Sequence, residues 1–275
     1  MIFHRLVDSW INWAFLLLLG FSVAGFSQNS STIDERDERA VNILARAVER
    51  LGGDRYLQIK TQVSKGKYTV MRSGTVISFQ SFLDVIVFPD RERTEFKSRG
   101  TKHIQVNSGD TGWIYDGDQE LVKVQTERQI ANFKQAIRTS LDNLLRSQWK
   151  GEADLTYVGK RPATLGKRND VVRLTYKDGF WVEFEFAADD GLPQKAIYKK
   201  PTSDGQEVTE EDRYALFVEL KGIRFPYVVD RFTDGTHLSR INYESIEVNR
   251  SVPPAIFEKP ATPKEARKEI KLDGE

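Results

Sequence analysis

The side chains with the chemistry for catalysis are few and scattered along the chain. There are three histidines, His4, His103 and His237, and no cysteine. His103 and His237 have no partner at ligand spacing, so we expect both at surface or strand-end positions. The lack of cysteine excludes thiolate nucleophiles, disulfides and Cys-ligated metals. The sequence therefore predicts no metal site and no cofactor.

Pairs of carboxylates are the remaining candidates for chemistry. Glu183 and Glu185 lie two residues apart, and an acidic run spans 207–212. Two carboxylates that converge across a cleft can hydrolyse a glycoside. Alternation places Glu183 and Glu185 on the solvent side of a strand, however, and an acidic run is typical of a solvated face. We predict no catalytic residues and no enzyme, and keep a carboxylate-based hydrolase as the less favoured alternative.

The elements that would position such residues are mostly strands. Apolar residues alternate clearly over 74–88, and most segments after residue 150 are strand-like. Asp-Gly pairs between these segments are typical of hairpin turns. Helical spacing is confined to 32–52 and 126–149. This order predicts a mainly β (α+β) fold, an antiparallel sheet of about ten or eleven strands with helices on one side.

A sheet this long must curl, and two helices cover only part of a curled sheet. We predict that the uncovered part forms a hydrophobic cavity for an apolar ligand, with a filled interior as the alternative. The predicted cavity residues are Ile77, Phe79, Leu83, Val85, Phe180, Val182, Phe184, Leu216 and Phe225. The helix within 126–149 is predicted to form a lid through Ile130, Phe133, Ile137 and Leu141.

Composition excludes several classes of protein. The 275 residues are enough for one large core. Forty-one basic and forty acidic residues give a net charge of +1, which argues against a nucleic-acid partner. With 39% hydrophobic and 29% charged residues, the chain is neither a multi-span membrane protein nor disordered throughout.

The chain divides into three predicted segments. Residues 1–27 read as a signal peptide, because the uncharged stretch 14–26 is shorter than the ~20 residues of a membrane span. An uncleaved membrane anchor is the alternative, and either one places the rest of the chain outside the cytoplasm. Residues 28–258 are predicted to form one domain. Residues 259–275, charged and aperiodic, are predicted to form a flexible tail.

Three short motifs follow one another in an order that is moderately specific. An early strand ends at Pro89, a hairpin with Trp113 follows within 109–115, and the domain closes with the segment 257–260. In this order the motifs resemble the LolA/LolB-like periplasmic lipoprotein-carrier superfamily, the outer-membrane lipoprotein-sorting proteins. The resemblance covers roughly residues 40–262. It implies an incomplete antiparallel β-barrel, closed by helices, with a hydrophobic cavity for acyl chains.

The sequence departs from that family at one position. The family has an arginine directly before the early proline, which latches the helical lid, whereas this chain has Phe88. The resemblance nevertheless leads us to predict a non-enzymatic periplasmic carrier, or lipoprotein chaperone, in outer-membrane lipoprotein sorting. Its predicted partners are acyl chains of lipoproteins or other lipids, and envelope membrane proteins. An envelope structural or interaction module with a filled core is the alternative.

Overall fold

The computed structural model describes residues 35–202 and 205–272. The predicted signal peptide, residues 1–27, lies outside this range. None of the helices in the described range is long and apolar enough to cross a membrane. The helices are α1 (Glu35–Leu51), α2 (Asp54–Leu57), α3 (Glu127–Thr139), α4 (Leu141–Leu145) and α5 (Pro263–Ala266), with 3₁₀ turns at Thr164–Gly166 and Pro254–Phe257.

All the strands in the described residues belong to one antiparallel sheet of thirteen. They are β1 (Thr61–Arg72), β2 (Thr75–Val87), β3 (Arg91–Ser98), β4 (Thr101–Ser108), β5 (Thr111–Asp116), β6 (Leu121–Val124), β7 (Ala153–Pro162), β8 (Arg168–Tyr176), β9 (Trp181–Ala187), β10 (Pro193–Pro201), β11 (Glu207–Leu220), β12 (Ile223–Thr233) and β13 (Thr236–Val248). The predicted ten or eleven strands were too few. The two edge strands give weak signals, since β6 has only four residues and β7 lacks an alternating apolar pattern.

The strand order runs β6-β5-β4-β3-β2-β1-β13-β12-β11-β10-β9-β8-β7. The first and last strands of the chain therefore pair in the middle of the sheet. The two edges, β6 and β7, are consecutive in sequence. The connection between them carries α3 and α4, so these helices must cross from one edge of the sheet to the other.

A bulge in the central pair bends the sheet. The register of β1 and β13 shifts between Lys65 and Gly66. A Cβ at residue 66 would lie 2.1 Å from the carbonyl oxygen of Asn242, so only glycine fits. A sheet of thirteen strands must curl. The face that packs against the helices is the concave face, and the strand register places Asp84 on β2 and Arg231 on β12 on that face, with two strands between them.

Two hydrophobic cores lie on opposite faces of the sheet. The helix-side core packs α1, α2 and α4 on the concave face of β7 to β12. The C-terminal core packs the segment after β13 on the convex face of β1 to β5. In the C-terminal core, Trp113 donates a hydrogen bond to the Phe257 carbonyl at 2.9 Å, and Arg93 donates one to the Ile256 carbonyl at 2.7 Å.

The C-terminal segment differs from the flexible tail predicted from residue 259. Ala266 and Leu272 are only 3% and 5% exposed, and both belong to the C-terminal core, with Ile270 packed against it. These few apolar residues stand among many charges. Their spacing is too irregular to produce a periodic signal, although Ala266 and Leu272 are buried against the sheet and Ile270 is half-buried there.

The predicted helix over 126–149 is two helices with a sharp break. Thr126 caps α3, because its hydroxyl accepts from the Gln129 backbone N–H while the Gln129 side chain accepts from the Thr126 N–H. Ser140 has an extended backbone and ends α3. Its hydroxyl accepts a hydrogen bond from the Asn143 N–H at 3.1 Å, which starts α4 in a new direction.

Candidate binding site

The structure does not bring the predicted cavity residues together on one surface. Val182 and Phe184 are fully buried in the helix-side core with Phe225, and Phe180 packs against it. Val85 belongs to the C-terminal core on the other face, and Leu83 packs beside it. The remaining three residues are exposed: Ile77, Phe79 and Leu216 at 42%, 68% and 66%.

The register of the central strands explains this division. Directly paired residues of an antiparallel sheet share a face. Val85 pairs with Val63, which lies under the C-terminal segment, whereas Asp84 pairs with Ser64 and Ser64 with Ile246. The even-numbered residues of β2 from 78 to 86 therefore face the concave side, and Phe79, Leu83 and Val85 face the convex side, while Ile77 lies at a register shift near the start of the strand. Alternation groups residues within a strand but does not say which group faces inward.

The concave face between β3 and β12 carries a continuous aromatic surface, which we call the aromatic floor: Tyr68, Phe82, Phe96, Tyr227 and Tyr243. The ring centres of Tyr68 and Phe96, and of Phe82 and Tyr243, are 5.7 Å apart, and those of Tyr227 and Tyr243 are 6.4 Å apart. Apart from the buried Phe82, these rings are half-buried. Tyr227 packs against the helix-side core, and the other rings offer apolar area that this core does not cover.

A group of charged side chains, the charged cluster, lies on the same face: Asp84, Glu92, Asp212 and Arg231. Thr94 donates a hydrogen bond to Asp84 at 2.7 Å. The Nε of Arg231 lies 3.5 Å from Asp212. Burial, and then the charge of Glu92, raise the pKa of Asp84 well above its usual range, and burial also raises the pKa of Glu92 and of Asp212. Arg231 opposes all three shifts.

Helix α3 crosses the opening of the curled sheet. Lys134 forms an ion pair with Asp110 in the β4–β5 turn, and Arg138 pairs with Asp178 in the β8–β9 turn at 2.8 Å. Of the predicted lid residues, Phe133 is buried, Ile130 and Ile137 are half-buried, and Leu141 packs against the helix-side core from α4. The structure therefore places the predicted lid residues between the two edges, with ties to both sides.

Glu183 and Glu185 do not form a carboxylate pair that is open to a substrate. Both are almost fully buried on the convex face, where the sequence predicted solvent exposure. Glu183 accepts from Arg161 and Arg173, and Glu185 accepts from Asn169 at 2.8 Å. Arginine side chains cover the two carboxylates, which explains the burial. This arrangement favours a structural role for both residues.

Three further features are a group of possible metal ligands, at a histidine paired directly with Phe96 of the aromatic floor, and two clefts. His103, Asp116 and Asp118 have ligand atoms within 4.8 Å of one another, the one such group among the described residues. The sequence search missed it because the residues come from different parts of a hairpin, and Asp116 already accepts from two backbone N–H groups of its own turn. A cleft of about 300 Å³ lies between the convex face and the C-terminal segment, and another of about 330 Å³ lies beside α1.

Comparison with known proteins gives a fold. No family model and no curated protein matches the chain. A DUF1329 family protein from Desulfovibrio piger superposes with a TM-score of 0.56 at 16% identity, over 80% of this chain and 97% of that one. A LolA superfamily protein from Nitrosomonas europaea superposes with a TM-score of 0.54 at 15% identity. A putative outer membrane lipoprotein-sorting protein domain from Vibrio parahaemolyticus superposes with a TM-score of 0.53 at 12% identity. Both matches cover 80% of this chain and 97% of the other. The chain has a LolA-like fold. The predicted resemblance and fold class are confirmed.

In this LolA-like fold, the residue before the early proline contacts an arginine from the helices. The guanidinium of Arg146, directly after α4, lies 4.2 Å from the centre of the Phe88 ring. Arg146 also pairs with Asp142 at 2.9 Å and donates to the carbonyls of Leu57 and Ile59. Arg146 thus joins the helices to the end of β2. In this contact the arginine comes from the helices, and the residue before the proline is the aromatic Phe88.

Sequence reasoning missed the charged cluster. A signal for it was present, because Asp84 interrupts the apolar run of β2 and Arg231 follows the apolar residues 227–229. Alternation places Asp84 on the face opposite Leu83 and Val85, but it does not show that this face is buried. Its burial follows from the pairing of β1 with β13, which lie far apart in the sequence.

Proposed function

We propose that this protein is a non-enzymatic periplasmic carrier or binding protein for acyl chains of lipoproteins or other lipids. The observation that carries the proposal is the half-buried aromatic floor on the concave face, crossed by a helix that is tied to both edges of the sheet. A carrier needs an apolar surface that water reaches only in part and a cover that can move. The outer membrane lipoprotein-sorting domain of similar fold supports the same role.

The expected affinity is modest. A buried acyl chain gains ~0.8 kcal/mol per CH₂, on the order of 12 kcal/mol for about sixteen carbons as an upper bound. Association and ordering cost ~4–15 kcal/mol. A dissociation constant of roughly micromolar is therefore the tightest expected, which suits a protein that must release its cargo.

A second candidate function is an envelope interaction module with a filled interior. The complete burial of Val182 and Phe184 favours it, because this part of the concave face is solid core. The two candidate functions make different predictions only for the aromatic floor, which binds lipid in a carrier and does not in an interaction module. Native mass spectrometry of protein purified from its periplasm separates them: co-purifying lipid supports the carrier, and a protein that never binds lipid supports the module.

A matched pair of variants tests where the lipid binds. Ile241 is half-buried on the concave face, paired with Tyr68 and Val229, whereas Val228 is half-buried on the convex face, paired with Ala215 and Asn242. Ile241→Asp places a charge beside the aromatic floor and should weaken lipid binding at least tenfold. Val228→Asp places the same charge on the other face and should leave binding unchanged. Equal losses in both variants would contradict binding at the floor.

The proposed location has its own test. If residues 1–27 are a cleaved signal peptide, the mature protein begins near Gln28 and is found in the periplasmic fraction. N-terminal sequencing of that fraction checks the cleavage site. A protein that keeps residues 1–27 and sediments with membranes would establish the anchor instead.

A further inference from the structure

The ionic contacts of β12 and its neighbours differ between the two faces. On the convex face, Arg240 makes a two-pronged contact with Asp230, at 2.6 and 2.8 Å. On the concave face, Arg231 lies 3.5 Å from Asp212 and makes no hydrogen bond to any other side chain or carbonyl of the described residues. Its side chain is 51% exposed. The planar donor fork of Arg231 therefore remains open to an anion.

The carboxylates around Arg231 exceed it in number. Asp212 lies on one side of Arg231 and the pair Asp84 and Glu92 on the other, all on the concave face. Burial and the proximity of like charges raise the pKa of Asp84, so a positive group that arrived beside this pair would relieve its repulsion. Tyr68 and Tyr243, which also face Arg231, add aromatic rings, a suitable environment for an ammonium group.

We propose that the charged cluster is a headgroup site for a zwitterionic amphiphile, with Arg231 binding its phosphate and the Asp84–Glu92 pair binding its ammonium group. The inference rests on the proposed function, because the acyl chain of the same molecule lies on the adjoining aromatic floor. A purely anionic headgroup is repelled by the three carboxylates, and a purely cationic headgroup is repelled by Arg231. Only a head with both charges finds a partner for each of them.

Isothermal titration of the purified, delipidated protein tests the assignment. The probes are four single-chain amphiphiles of one chain length, with phosphoethanolamine, phosphate, trimethylammonium or maltoside heads. The phosphoethanolamine amphiphile should bind about tenfold more tightly than each of the other three. Equal affinity for all four would leave the carrier proposal standing and overturn the headgroup site. Binding of none of them would overturn both proposals, and a preference for the phosphate head would overturn the role of the acidic pair.

Variants assign the charges. Arg231→Gln should remove the preference for phosphoethanolamine over maltoside and leave maltoside binding unchanged, and Asp84→Asn should reduce that preference. Arg240→Gln, on the convex face of the same strands, is the matched control and should keep it. Thermal melting of each variant verifies folding, and Arg231→Lys, which keeps the charge, replaces Arg231→Gln if that variant fails to fold. A preference that survives loss of the Arg231 charge or fork would contradict the assignment.

Discussion

At the scale of single residues, Asp84 is a carboxylate whose charge is poorly compensated. It faces Glu92 across the β2–β3 pair and receives one hydrogen bond, from Thr94. Burial raises its pKa in the folded state above the unfolded value. The folded state is therefore penalised once the pH exceeds the unfolded pKa, and the penalty grows until the pH passes the folded pKa.

Replacement of Asp84 by asparagine should stabilise the protein at neutral pH, because the amide keeps the Thr94 contact without the charge. We expect the Tm at pH 7 to rise by about 2–4 °C, the change that ~1 kcal/mol produces in a domain of this size. Below the ordinary pKa of an aspartate the gain should vanish. Thermal melting of wild type and variant across this range measures it, and a Tm that falls at pH 7 would contradict the argument.

Asp230→Asn is a control for which we expect the opposite change in stability at pH 7. Burial opposes ionisation of Asp230, but the hydrogen bond and charge of Arg240 outweigh it and lower the pKa. Its charge stabilises the folded state above the unfolded pKa, and this contribution is lost as the pH falls through the folded pKa. The variant should therefore be less stable than wild type at pH 7 and match it in acid.

At the scale of elements, α4 and α3 are held in different ways. Helix α4 is anchored by Arg146, whose side chain is only 8% exposed. Tyr56 on α2 donates to Asp142 at 2.9 Å, so the same carboxylate joins both helices. The C-terminal end of α3 is also held, because the Tyr176 hydroxyl donates to the Arg138 carbonyl at 2.9 Å. Towards its N-terminus, α3 is tied to the sheet by the exposed pair of Lys134 and Asp110, a type that contributes little stability. We therefore expect α4 to be firm and α3 to move, most of all in its N-terminal part.

Arg146→Met should destabilise the protein by about 2–4 kcal/mol. It removes the charged partner of Asp142, which keeps only the Tyr56 hydroxyl as donor, and it leaves the carbonyls of Leu57 and Ile59 without the guanidinium of the buried Arg146. Urea denaturation measures the free energy of unfolding. Arg224→Met, which removes an exposed pair with Glu219, is the control and should cost less than ~1 kcal/mol. Similar losses in the two variants would show that Arg146 is not an anchor.

Hydrogen exchange tests the mobility of α3. Amides of Glu127–Thr139 should exchange faster than those of β9 and β11, and should slow when lipid is added. Lys134→Ala removes the tie to Asp110 and should speed exchange in α3 while the strands stay protected. Equal protection of α3 with and without lipid would count against a lid.

Local elements could be predicted from the sequence, but the faces of the sheet could not. The helix ending at Leu51 and the strand pattern of β2 follow from apolar spacing. In β2, however, Phe82 and Ile86 face the concave side while Leu83 and Val85 face the convex side. Helices lie on one face of the sheet and the C-terminal segment lies on the other. Apolar side chains therefore lie on both faces of the sheet, and periodicity cannot say which set faces the concave side.

At the scale of the whole molecule, the strand order explains the layout of the candidate site. The pairing of β1 with β13 places the aromatic floor and the charged cluster at the junction of the two halves of the chain. No local pattern encodes a contact between residues so distant in sequence. The same pairing carries the chain directly from β13 onto the convex face, where the C-terminal segment covers the sheet behind the floor.

Removal of residues 259–275 tests whether this layer is structural. The deletion uncovers Val63 and Val85 and takes away Leu272 and Ala266, so apolar area equivalent to at least one leucine, ~1.5–3 kcal/mol, is lost. The Tm should fall by about 3–10 °C, and binding of a hydrophobic dye should rise.

Deletion of residues 273–275 alone leaves the described segment in place and should leave the Tm unchanged. The aromatic floor lies on the opposite face from the deleted segment. Lipid binding should therefore survive the deletion at temperatures below the lowered Tm, and its measurement tests the floor separately. An unchanged Tm after the longer deletion would mean that the segment is the flexible tail that its composition suggests.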